Sequence, residues 1–135
     1  MYSSQVKAFK NRLRNYNYIT EQIDTLRNRI EDLYDQLGGV RGVDPSKEPI
    51  HSPPNKDMEY KLRDLITRQE KNLRHMMNEK DEIDSTLLKI ESSLRWAIIN
   101  VYVNGEKMVN VAGYMYLSTS GLLKRMNKAI KKALD

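Results

Sequence analysis

The residues of greatest chemical consequence lie late in the chain. Lys124, Arg125, Lys128, Lys131 and Lys132 place five cations within nine residues, and Ser118, Thr119 and Ser120 place three hydroxyls just ahead of them. A run of ammonium and guanidinium groups attracts a polyanion by displacing its counterions, so the chemistry it suits is salt-dependent binding rather than bond-making. The competing reading is a solvated face whose lysines complement the negative end of a helix. The sequence offers little for nucleophilic or metal chemistry. It has no cysteine, and its two histidines, His51 and His75, lack partners at metal-ligand spacing. Glu79, Asp81, Glu82 and Asp84 are neighbouring acids, but with no histidine or glycine-rich phosphate loop beside them they read as a solvated helix face. No enzyme, cofactor or metal is expected.

Cations and hydroxyls need a rigid carrier, and the spacing around them supplies one. Val111 and Ala112 are followed by Met115, Ser118, Leu122, Met126 and Ala129, which predicts two amphipathic helices joined by a short turn. The first should run from about Glu106 to Gly113. Ser118 opens the second, its hydroxyl accepting from a free amide of the first turn. Ala112 is small enough for a close crossing, and Leu122, Met126, Ala129 and Ala133 form the stripe that packs there. The arrangement predicted is a helix-turn-helix whose second helix would enter a major groove. Thr119, Ser120, Lys124 and Arg125 are then candidate groove contacts, and Lys128, Lys131 and Lys132 candidate phosphate contacts.

The rest of the chain reads as the support. Val6, Phe9, Leu13, Tyr16, Ile19, Ile23, Leu26, Ile30, Leu33 and Leu37 recur at threes and fours, which predicts one helix over residues 5–37, with a slip between Leu13 and Ile19. Gly38 and Gly39 should end it. Residues 38–56 hold three of the six glycines and all four prolines and read as a connection. From Asp57 a second seam runs from Ile66 through Gln69, Leu73, Met76, Lys80, Ile83, Leu87, Ile90, Leu94 and Ala97 to Val101. Gln69 and Lys80 either fix register or mark a frayed edge. The predicted fold is all-α. Residues 1–94 form an antiparallel coiled-coil hairpin with loop 38–56, and residues 95–135 form the helix-turn-helix module, with Trp96 and Tyr102 packing on its outer helices. A lone helical pair leaves apolar surface wet, so a homodimer through a four-helix bundle is expected.

Composition sets the outer bounds. With 135 residues, 39% hydrophobic and only 7% aromatic, an elongated helical shape is expected over a thick core. The net charge of +5 is unevenly spread: +2 over residues 1–56, −2 over 57–94 and +5 over 95–135. The first residues, MYSSQVKAFK, lack the apolar run of a signal peptide, and no stretch of about 18 apolar residues could span a bilayer. A soluble intracellular protein with no membrane partner is expected.

The segments LRWAIINVYVNGEKM and VAGYMYLSTSGLLKRMNKAIKKAL, following a two-helix coiled coil, resemble the ArpU/RinA-type late transcriptional regulators of phages infecting Gram-positive bacteria. The C-terminal part of that family is similar to the sigma-factor region that reads the −35 promoter element. Within residues 90–134 the likeness rests on Arg95, the Tyr102 to Gly105 segment, Ala112, Ser118 and Ala129-Ile130. Met108 departs from a common tryptophan, and the Tyr114-Met115-Tyr116 turn lacks the usual glycine. The resemblance implies a sequence-specific, double-stranded-DNA-binding bacteriophage transcription regulator of the bacterial host cytoplasm, without catalysis, and leaves contact with host RNA polymerase open. The alternative is a phage-encoded protein-interaction module, an adaptor or inhibitor of a host protein that uses the helix-turn-helix as scaffold. A third reading is a structural coiled-coil component of a larger assembly.

Overall fold

A computed structural model describes residues 4–41 and 56–135, all in helices or in short turns between them. The fold is all-α, with no strand among the described residues. In chain order the helices are α1 (Ser4–Arg14), α2 (Tyr16–Arg41), α3 (Lys56–Leu88), α4 (Ser92–Ile98), α5 (Met108–Tyr114) and α6 (Thr119–Leu134), and a π-helical segment, Ile99–Val103, extends α4.

Two helices expected to be continuous are interrupted. The one expected over residues 5–37 breaks at Asn15, whose amide is shared between the carbonyls of Asn11 and Arg12, both at 3.2 Å. This departure from α geometry falls where the apolar spacing slips, and Leu13 and Ile19 are buried on either side of it. α2 then continues to Arg41, so Gly38 and Gly39 lie inside it rather than ending it, and neither has a positive φ. Each costs roughly 0.5–1 kcal/mol relative to alanine. Burying Leu33 and Leu37 against Leu62 and Ile66 outweighs that cost at about 1.5–3 kcal/mol per side chain. Residues 42–55, His51 among them, lie outside the described residues.

The second helix, expected from Asp57 to Val101, stops at Leu88. Lys89 and Ile90 donate to carbonyls three residues back, Thr86 at 3.1 Å and Leu87 at 3.0 Å, and α4 restarts after an extended Glu91. Ser93 Oγ donates to the Glu91 carboxylate at 2.9 Å.

The described chain forms two compact units. One unit is Glu21–Met77; the other joins the chain up to Thr20 to Asn78–Asp135. In the first, Ile23, Leu26, Ile30, Leu33 and Leu37 are only 4–9% exposed. Tyr34 donates to the Glu70 carboxylate and Arg27 to Met77 Sδ, so α2 and α3 meet in opposite order along the chain. The α2 stripe is therefore covered by α3 within one chain. Tyr34, Met58, Tyr60 and Leu65 remain exposed.

In the other unit α1 supplies Val6, Phe9 and Leu13, all fully buried, and packs on α6 and on the π-helical segment. α4 and α5 close on α6 from other sides. Arg12 reaches α3, donating to Glu82 at 2.8 Å and lying 3.9 Å from Glu79. Lys80 does more than fray. It donates to Asp84 at 2.9 Å and lies 5.5 Å from the Tyr16 ring centroid, while the Tyr16 hydroxyl donates to Asp84 at 2.8 Å. These three side chains fix α2's first turn against α3.

Candidate nucleic-acid interface

The candidate site is built on α5, the turn after it, and α6. Gly105, at φ 71°, ends the π-helical segment as a residue without Cβ can, and α5 begins at Met108, two residues later than expected. α5 closes in a Schellman arrangement. Leu117 N–H donates to the Ala112 carbonyl at 2.9 Å and Tyr116 N–H to that of Gly113 at 3.2 Å. The left-handed position belongs to Tyr116, at φ 55°, the one non-glycine with positive φ among the described residues. An L side chain there costs roughly 1–2 kcal/mol.

Ser118 caps α6 as its sequence position predicts. Its backbone is extended and its Oγ accepts from the Gly121 amide at 3.0 Å. That oxygen also lies 3.4 Å from Ser120 Oγ, so Ser118 serves the helix first. Gly121 gives the cap its room: a Cβ built there would stand 3.0 Å from the same oxygen. Thr119 and Ser120 are exposed beside it.

The inner stripe of α6 differs in part from the expected one. Leu122, Met126 and Ala133 are buried, but Ile130 takes the place given to Ala129, which is half-buried. Asn127, unnoticed in the sequence, is 1% exposed and its Oδ1 has no hydrogen-bond partner. The five cations occupy the opposite face. Lys124, Arg125, Lys128, Lys131 and Lys132 are all exposed, and no ion pair among the described residues involves α6.

The fold adds cations that the sequence reading did not count toward the site. The unit holding α6 carries thirteen Lys/Arg against seven Asp/Glu, a net +6, whereas Glu21–Met77 is close to neutral at −1. Four of those cations, Lys7, Lys10, Arg12 and Arg14, belong to α1, which has no acid. Lys10 Nζ and the Arg14 guanidinium stand over the Tyr102 ring at 5.1 and 5.5 Å. Burial, reinforced by the Arg14 charge, lowers the Lys10 pKa, and burial raises that of Tyr102.

Aromatic side chains border the same elements. Tyr102 is buried, but Trp96 is 47% exposed and meets Tyr114 edge-on, with ring centroids 6.2 Å apart. Tyr114, which closes α5, is 74% exposed and Tyr116, in the turn after it, 96%. No group of three or more His, Cys, Asp or Glu among the described residues could hold a metal ion. No helix among them is long and apolar enough to cross a membrane.

Comparison with known proteins finds no matching family, no matching curated protein and no matching solved structure.

Proposed function

We propose that this chain binds double-stranded DNA through a helix-turn-helix made of α5, the Tyr116 turn and α6. The observation that carries the reading is the division of α6 into a buried apolar face and an exposed face bearing five unpaired cations, with Thr119 and Ser120 exposed at its capped end. In this reading Thr119, Ser120, Lys124 and Arg125 face base edges, and Lys128, Lys131 and Lys132 neutralise phosphates. The family resemblance adds sequence specificity and a role in phage transcription within the bacterial cytoplasm, with host RNA polymerase a candidate partner. α2 and α3 would serve as the hairpin support. A homodimer through them would have to use Tyr34, Met58, Tyr60 and Leu65, since the α2 stripe is already covered.

The test is titration of the full chain into duplex DNA at several salt concentrations, followed by selection of bound sequences from a random duplex pool. Binding that weakens with salt and is lost in Lys124→Glu/Arg125→Glu supports the proposal. Unchanged binding by that variant removes the assigned surface, and no enriched motif removes sequence specificity. One observation favours a second reading, a protein-interaction module: Trp96, Tyr114 and Tyr116 are large aromatic side chains left in solvent. That reading expects no duplex affinity and a complex with a host protein that is lost in Trp96→Ala/Tyr114→Ala.

A further inference from the structure

The two helices richest in cations, α1 and α6, are far apart in sequence yet pack on each other, and neither contains an acid. Nine positive charges thus sit on one packed pair. Packed helix axes are about 8–10 Å apart, comparable with the Debye length of about 10 Å at 0.1 M salt, so cations on either helix add to the field at the other.

The α1 cations are not equivalent. With Val6, Phe9 and Leu13 turned inward, a turn of about 100° per residue puts Lys7, Lys10 and Arg14 along one flank and Arg12 on the other. Arg12 is taken by Glu79 and Glu82. Lys7 and Arg14 are exposed, and none of the three on the first flank pairs with a carboxylate among the described residues. Tyr102 holds Lys10 and Arg14 over a single ring, where they repel each other; an anion between them would relieve that repulsion. From Lys7 to Arg14 the helix rises about 10 Å, the axial length of roughly three phosphates on one strand.

Resting on the DNA reading above, we propose that the Lys7, Lys10 and Arg14 flank of α1 is a second backbone-binding surface, taking duplex phosphates beyond those held by α6. It reads no bases. It adds affinity and salt dependence to whatever sequence α6 selects.

The experiment measures binding of the full chain to one duplex at several salt concentrations by fluorescence anisotropy. It compares wild type, Lys7→Ala/Arg14→Ala, the charge-conserving Lys7→Arg/Arg14→Lys, and Lys124→Glu/Arg125→Glu. The alanine pair should lower the slope of log affinity against log salt by about 2, since each lost phosphate contact removes about 0.9. It should also weaken binding at least several-fold near 0.1 M salt, while the charge-conserving pair keeps both quantities. Wild-type slope and affinity in the alanine pair, with binding lost in the α6 variant, overturns the α1 surface and leaves the α6 reading standing. No duplex binding by wild type overturns both.

Discussion

Ser118 Oγ and Gly121 are matched to each other: the oxygen accepts the Gly121 amide at 3.0 Å and stands 3.0 Å from the place a Cβ at 121 would occupy. The cap that opens α6 therefore depends on the absence of a side chain three residues later. A double-mutant cycle measures this. Ser118→Ala alone should cost about 1 kcal/mol of unfolding free energy. Gly121→Ala alone should bring no gain, because the new methyl pushes on the capping oxygen. In the Ser118→Ala background the same Gly121→Ala change should stabilise by up to about 0.5–1 kcal/mol, the usual helical preference for alanine. Additive effects in urea unfolding would show that the two residues are not coupled.

Tyr116 carries the left-handed turn with a bulky, almost fully exposed side chain. Tyr116→Gly should raise stability by about 1 kcal/mol, the αL penalty less the added freedom of glycine when unfolded. A loss of stability would mean that the exposed ring makes a contact worth more than the strain.

Asn127 Oδ1 is buried without a partner, a defect that costs about 1–3 kcal/mol. Asn127→Leu keeps the number of side-chain heavy atoms and should stabilise the fold by about 1 kcal/mol. Thermal melts of the two proteins decide the point; a lower melting temperature for the leucine variant would show that the amide is satisfied in solution.

Phe9 tests whether α1 belongs to the C-terminal unit. Truncating a buried phenylalanine to alanine costs about 3–5 kcal/mol. Phe9→Ala should accordingly loosen α4 to α6, although these helices lie far from it in sequence. The sole tryptophan, Trp96 in α4, reports the change directly. An unaltered Trp96 unfolding transition in Phe9→Ala would separate α1 from that core.

Alkaline pH should weaken the cluster that joins Tyr16 to α3. The Tyr16 pKa is raised above the ordinary 10.0, first by burial and then by its bond to Asp84; that of Lys80 is raised above 10.5, first by its bond to Asp84. Both groups hold their protons more tightly folded than unfolded. Their contribution is whole below the unfolded values and drains away as pH climbs through the raised ones. Lys10, whose pKa is lowered, contributes with the opposite sign. Stability should be level near neutrality and decline above about pH 10, less steeply in Tyr16→Phe. An identical alkaline decline in that variant would remove Tyr16 from the account.

Much of this architecture was legible in the sequence because a period of 3.6 reports which face of a helix is apolar. Leu122, Met126 and Ala133 were identified that way, and the chemistry of serine marked Ser118 as a cap. Periodicity does not say which helix covers a face. Val6, Phe9 and Leu13 were correctly read as a buried line but assigned to α3 alone, so four cations went uncounted at the candidate site. The break at Lys89 to Glu91 was hidden because Leu87, Ile90 and Leu94 keep a three-four spacing across it. Asn127 was missed since an amide in an apolar stripe carries no pattern of its own. Gly121 has a purpose visible only beside Ser118, whose oxygen a Cβ there would crowd.

The interleaving of α1 with α6 also bears on how the chain is made. α1 leaves the ribosome more than a hundred residues ahead of the helix that covers it, so its phenylalanine and leucine must wait in solvent, or in the care of a chaperone, until synthesis reaches the far side of the same core. A transcript cut short before α6 would yield a product with no finished C-terminal fold, so translation itself would screen out incomplete copies before they acquired the cationic face.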